Sequence, residues 1–121
     1  MKTSCVVFQS DPQLAQAFIT SLATVFQSVR LATSLEDARV SSIKNRAEAL
    51  VLDLEAASLE ELGYLSRELP GTRIVCNHRV ADEKLWIAAL NAGADDCCAS
   101  SDRKAIVSAA LGHSNGHSEA A

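Results

Sequence analysis

Short apolar runs alternate along the chain with longer stretches in which apolar residues recur at helical spacing. Five runs have the length of strands: CVVF (5–8), SVRLAT (28–33), ALVLDL (49–54), TRIVCN (72–77) and ADDCCAS (94–100). Five stretches follow them and predict helices: residues 10–26, 34–43, 58–69, 81–93 and 102–111. The third run has no polar alternation, which is typical of a strand buried on both faces of a parallel sheet. The pattern predicts five consecutive strand–helix units.

Polar residues at the helix ends support these boundaries. Asp11 precedes Pro12, a combination that favours an N-cap followed by the first helical residue. Ser58 and Glu61 have the spacing of a capping box, in which each side chain bonds to the other residue's backbone N–H. Gly93 is placed to end the fourth helix, because glycine readily adopts the left-handed conformation found there.

Length and charge restrict the fold and the partners. The chain has 121 residues and a net charge of -4, with scattered basic residues, so we expect a single domain that binds no nucleic acid. The first apolar run is too short for a signal peptide or a membrane span, which predicts a cytoplasmic protein without membrane contact. We place the domain at residues 1–111 and a polar tail or linker start at 112–121. His113 and His117 lie in that tail, where we expect no metal site.

The four cysteines are expected to be reduced and buried, because they lie mostly in apolar runs and lack zinc-ligand spacing. Adjacent Cys97 and Cys98 should point to opposite faces of a strand. They are therefore not expected to act together on one ligand.

Two segments carry a resemblance to a known family. ALVLDL, with Asp53 near its end, and ALNAGADD (89–96), which leads into the fifth strand, resemble the receiver domain of response regulators in two-component and phosphorelay signalling. The resemblance covers residues 4 to about 111. It implies a flavodoxin-like (βα)5 fold, a doubly wound parallel sheet of strand order 2-1-3-4-5, with the site at the carboxyl ends of the strands. Asp53 matches the phospho-acceptor position.

The sequence departs from the family at most other site positions. Family members have two acids that bind Mg²⁺, then a hydroxyl residue, a switch aromatic and a lysine. The matching positions here are Gln9 and Ser10, Asn77, Cys97 and Ser100. Phosphoryl transfer depends on a metal and a cation to neutralise charge, so the resemblance implies a degenerate pocket. We expect the neutral side chains to donate hydrogen bonds to Asp53.

Two functional hypotheses follow, of which the first is favoured. It describes a pseudo-receiver: a phosphorylation-independent protein-interaction module for signal transduction, with no enzymatic activity and no cofactor. The alternative is a response regulator phosphorylated on Asp53 by a histidine kinase, and only this alternative requires Mg²⁺. A redox or cofactor-binding flavodoxin-like protein has little support, because no loop after a strand is a glycine-rich phosphate cradle.

The resemblance also implies a partner surface. Receiver-like domains commonly bind a protein partner or form homodimers through the fourth helix, fifth strand and fifth helix. Trp86, the single tryptophan, lies in the fourth helix. Helical spacing predicts that Ile87, Leu90 and Ala94 face the sheet, which would leave Trp86 partly exposed as a candidate anchor.

Overall fold

The computed structural model describes residues 2–113, which form one parallel sheet covered by helices on both faces. The strands are β1 (Lys2–Phe8), β2 (Phe26–Leu31), β3 (Ala49–Asp53), β4 (Arg73–His78) and β5 (Asp96–Ala99). The helices are α1 (Pro12–Leu22), α2 (Leu35–Lys44), α3 (Leu59–Glu68), α4 (Glu83–Ala92) and α5 (Arg103–Ala110). The sheet order is β2-β1-β3-β4-β5. The predicted fold class and strand order are confirmed.

The core has two parts because helices cover both faces of the sheet. Leu50 and Leu52 belong to a cluster with the helices α2, α3 and α4, whereas Val51 belongs to a cluster with α1 and α5. All five residues of β3 are buried, as its apolar run without alternation predicts. The central strand therefore holds its last residue, Asp53, at the centre of one sheet edge.

The first helix is shorter than predicted. α1 ends at Leu22, and Phe26 already begins β2, where its backbone is in register with Lys2. Apolar residues continue beyond Leu22, but the 2% exposed Phe26 joins the core as a strand residue. Pairing with β1 overrides the helical spacing there.

The three predicted helix caps are confirmed. Asp11 caps α1 by accepting hydrogen bonds from the backbone N–H groups of Gln13 and Leu14. Ser58 and Glu61 form the capping box of α3, with bonds of 2.9 and 3.0 Å. Gly93 ends α4 with a φ of 123°, a backbone conformation that residues with a side chain rarely adopt.

The four cysteines are buried and none forms a disulfide. Burial is the main cause that raises the pKa of Cys5 and Cys98 to about 12 and that of Cys97 to about 11. Cys97 and Cys98 lie in the two different core clusters, as predicted for neighbours in a strand. The thiols are protonated at neutral pH and are poor nucleophiles or metal ligands.

Residues 114–121, which hold most of the predicted tail and His117, lie outside the described residues. Among residues 2–113, none of the helices combines the length and the apolar character that crossing a membrane requires.

Candidate functional site at the carboxyl edge of the sheet

The carboxyl ends of β1, β3, β4 and β5 bring the predicted site residues together. Asp53 is the last residue of β3 and is in register with Asn77 of β4. Gln9 and Ser10 directly follow β1, and Ser100 directly follows β5. Because the strands are parallel, all five side chains meet at one edge of the sheet.

Asp53 is fully buried and bonds to donors of its own chain through both carboxylate oxygens. Oδ2 accepts from the Ser10 backbone N–H at 3.0 Å and from the Ser10 hydroxyl. Oδ1 accepts from the Glu55 backbone N–H at 2.8 Å. Hydrogen bonds to a charged acceptor each contribute about 1.5–3 kcal/mol, so these donors offset the cost of burying the carboxylate.

The other neutral residues form a second cluster instead of bonding to Asp53. Asn77 Oδ1 accepts from Gln9 Nε2 and from the Ser100 hydroxyl, each at 3.0 Å. Asn77 Nδ2 donates to the Leu52 carbonyl at 3.3 Å. The expectation that these side chains donate to Asp53 therefore holds for Ser10 alone. The reason is that the amide oxygen of Asn77 can accept two bonds and satisfies both neighbours.

Cys97 does not line the pocket. Its side chain is fully buried in the core cluster that packs under α2, α3 and α4. The position therefore fills core volume beside the site and makes no contact with Asp53 among the interactions described.

Trp86 is half-buried, and both the core and a hydrogen bond fix its ring. It packs against the same core cluster, and its indole N–H donates to the Asp96 carboxylate at 3.4 Å. Ile87, which was predicted to face the sheet, is 45% exposed, whereas Ala89 is buried. The prediction is wrong for Ile87, whereas Ala94 is buried in the core cluster and Trp86 is partly exposed, as predicted. The residues of α4 that pack against the cluster include Leu85, Trp86 and Ala89.

An ion-pair cluster that was not predicted from the sequence lies beside the pocket. The Arg79 guanidinium lies 2.7 Å from Asp11 Oδ2 and 3.8 Å from Glu55 Oε2. The Arg79 backbone N–H also donates to Glu55 at 3.3 Å. Glu55 and Arg79 each lie two residues beyond the paired residues Asp53 and Asn77, and this pairing of distant strands has no local signal in the sequence.

Both carboxylate oxygens of Asp11 accept hydrogen bonds from groups of the protein. The backbone N–H groups of Leu14 and Gln13, followed by the Arg79 guanidinium, lower the pKa of Asp11. One oxygen caps α1 and the other contacts Arg79. The predicted N-cap role is confirmed, and the second oxygen of Asp11 bonds to Arg79.

The pocket does not fit the Mg²⁺ ion that the fold family implies. Magnesium needs oxygen ligands in near-octahedral geometry, with one or two carboxylates free to coordinate. Both oxygens of Asp53 already accept hydrogen bonds, neutral Gln9 and Ser10 follow β1, and both oxygens of Asp11 have partners of their own. Within residues 2–113 there is no group of three or more His, Cys, Asp or Glu residues arranged to hold a metal ion.

Comparison with known proteins identifies the fold. No protein-family model matches the chain. No curated protein matches it by sequence. Among solved structures, a two-component response regulator from Clostridium difficile is 19% identical and has a TM-score of 0.75, over 91% of this chain and 96% of that chain.

Two further structures extend the comparison. A CheY-like protein (tadZ) from Pseudomonas aeruginosa is 24% identical with a TM-score of 0.68, over 95% of this chain and 98% of that chain. A response regulator protein from Burkholderia pseudomallei, solved with a phosphorylated aspartic acid, calcium ion and citrate, is 20% identical with a TM-score of 0.78. That match covers 98% of this chain and 71% of the other. The chain has the fold of response-regulator receiver domains.

Proposed function

We propose that this chain is a receiver-fold interaction module that works without phosphorylation of Asp53. One observation carries the proposal: both oxygens of the buried Asp53 carboxylate accept hydrogen bonds from the protein's own Ser10 and Glu55. A phospho-acceptor needs a carboxylate oxygen that can reach a phosphorus atom and a metal beside it. Here three of the roughly four lone-pair sites of the Asp53 carboxylate already accept bonds from the protein, and Gln9 and Ser10 supply no carboxylate that could hold a metal beside it.

The electrostatic parts of phosphoryl transfer are also missing. A lysine would stabilise the phosphoryl group in the family, and Ser100 occupies that position with its hydroxyl bonded to Asn77. The Burkholderia pseudomallei relative carries a phosphorylated aspartic acid together with a calcium ion. This chain offers the aspartate without the cation-binding carboxylates, which supports a structural role for Asp53.

We further propose that a protein partner, or a second copy of the chain, binds the face formed by α4, β5 and α5. The proposal combines the family resemblance with two exposed apolar side chains in or near α4: Ile87 of α4 is 45% exposed, and Val80, in the loop before α4, is 67% exposed. Trp86 is the weaker anchor, since its ring is fixed against the core. Exposed apolar side chains are common anchors of protein interfaces.

A binding experiment tests both parts. Wild-type protein, Ile87→Ser and Ile43→Ser are compared for self-association and for partner capture, with and without Mg²⁺ and a small phosphodonor. Ile43 is a matched control: it is 51% exposed, but on α2. We expect Ile87→Ser to weaken binding by about fivefold or more, Ile43→Ser to leave it unchanged, and the phosphodonor to have no effect.

Two outcomes would contradict the proposal. Binding that appears only with the phosphodonor would indicate that phosphorylation of Asp53 switches the domain. Equal binding by Ile87→Ser and wild type would place the interface elsewhere.

A further inference from the structure

Three loops of the carboxyl edge meet at one guanidinium. Arg79, in the loop after β4, contacts Asp11 in the loop after β1 and Glu55 in the loop after β3. Its backbone N–H bonds to the same Glu55 carboxylate. A single exposed ion pair contributes little, but one side chain that joins two carboxylates from separate loops restrains all three loops.

The charge around this guanidinium is strongly unbalanced. Asp53 is held by Ser10 and by the backbone of the same Glu55 whose side chain contacts Arg79. Among the interactions described, Arg79 is the one cation that contacts any of the three carboxylates Asp11, Glu55 and Asp53. An excess of negative charge normally attracts a divalent cation. Arg79 instead contacts Asp11 Oδ2 at 2.7 Å and supplies a positive charge to that carboxylate.

We propose that Arg79 is the resident cation of this pocket, which takes the place of a divalent metal and keeps the three loops closed over Asp53. Arg79 is a positioning residue. The guanidinium is covalently part of the chain, so the closed arrangement requires no metal. A neighbouring cleft of about 350 Å³ is consistent with this arrangement, since Arg79, Asp11 and Ser100 line it and Asp53 does not.

The inference makes a gain-of-function prediction. Arg79→Gln removes the positive charge and leaves Asp11 and Glu55 facing the same space, so the variant should bind Mg²⁺ at least about tenfold more tightly than the wild type. Mg²⁺ is titrated against NaCl of equal ionic strength, and binding is followed by the amide NMR shifts of Ser10, Asp11 and Glu55. Arg79→Lys keeps the charge and should respond as the wild type does.

Arg67→Gln is the matched control. Arg67 is an exposed arginine of α3 for which no ion pair is found with any residue of 2–113, so its loss should not change the Mg²⁺ response. The proposal is overturned if Arg79→Gln responds to Mg²⁺ no more than the wild type or Arg67→Gln does.

The inference rests on the proposed function, and the two fail differently. If the wild-type protein itself binds Mg²⁺ at Asp53, the proposed function is wrong and the resident-cation inference falls with it. If neither the wild type nor Arg79→Gln binds Mg²⁺, the inference about Arg79 fails, while a phosphorylation-independent Asp53 stands.

Discussion

Replacement of Asp53 by alanine is expected to lower the free energy of unfolding by about 2–4 kcal/mol. The change removes a fully buried carboxylate that accepts three hydrogen bonds, two from Ser10 and one from the Glu55 backbone. Asp53→Asn keeps the shape and one acceptor oxygen, so we expect a smaller loss. Denaturant unfolding at neutral pH measures both variants.

The sign of this effect separates a structural aspartate from a phospho-acceptor. In a pocket of closely spaced acids, removal of one carboxylate relieves repulsion and can raise stability. Asp82→Ala serves as the control, since Asp82 is an exposed N-cap that accepts a single bond from the Leu85 N–H at 2.9 Å. We expect the control to lose about 1 kcal/mol. An Asp53→Ala variant as stable as the wild type would contradict the structural role.

Gly93→Ala is expected to destabilise the domain by about 2–4 kcal/mol. Gly93 ends α4 with φ of 123°, and an added Cβ would lie 2.6 Å from the Cβ of Ser66 on α3. The backbone conformation and the close approach of α3 to Gly93 both require a residue without a side chain. This explains the glycine in the segment that leads into β5. Thermal and denaturant melts measure the loss.

Gly71→Ala provides the matched control, because no atom lies within 4 Å of the added Cβ and the backbone is not left-handed. Its stability should change by less than about 1 kcal/mol, in either direction. Equal losses in the two variants would show that the close approach of α3 and α4 at Gly93 is not as described.

Much of the fold could be predicted from local pattern. The apolar runs, the cap at Asp11 and the capping box at Ser58 depend on neighbours in sequence, so their signals are visible in the sequence itself. The strand order came from the resemblance, since pairing between distant strands leaves no local signal. The boundary near Phe26 was missed because pairing with β1 competes with helical spacing.

The site was only partly predictable. The sequence places Gln9, Ser10, Asn77 and Ser100 near Asp53, but the choice of acceptor depends on angles between side chains that spacing does not define. Neither the Arg79 cluster nor the inward orientation of Trp86 followed from comparison with the family's site positions. Both depend on the tertiary packing of loops and helices against the sheet.

The most direct test of the central claim is the covalent state of Asp53 under phosphorylating conditions. The domain is incubated with Mg²⁺ and a small-molecule phosphodonor or beryllofluoride, and is then examined by intact mass and by the amide NMR shifts of Ser10, Asp53 and Glu55. Because both oxygens of Asp53 are held by the protein, we predict an unchanged mass and unchanged shifts. A stoichiometric adduct on Asp53 would contradict the account and identify the chain as a phospho-acceptor.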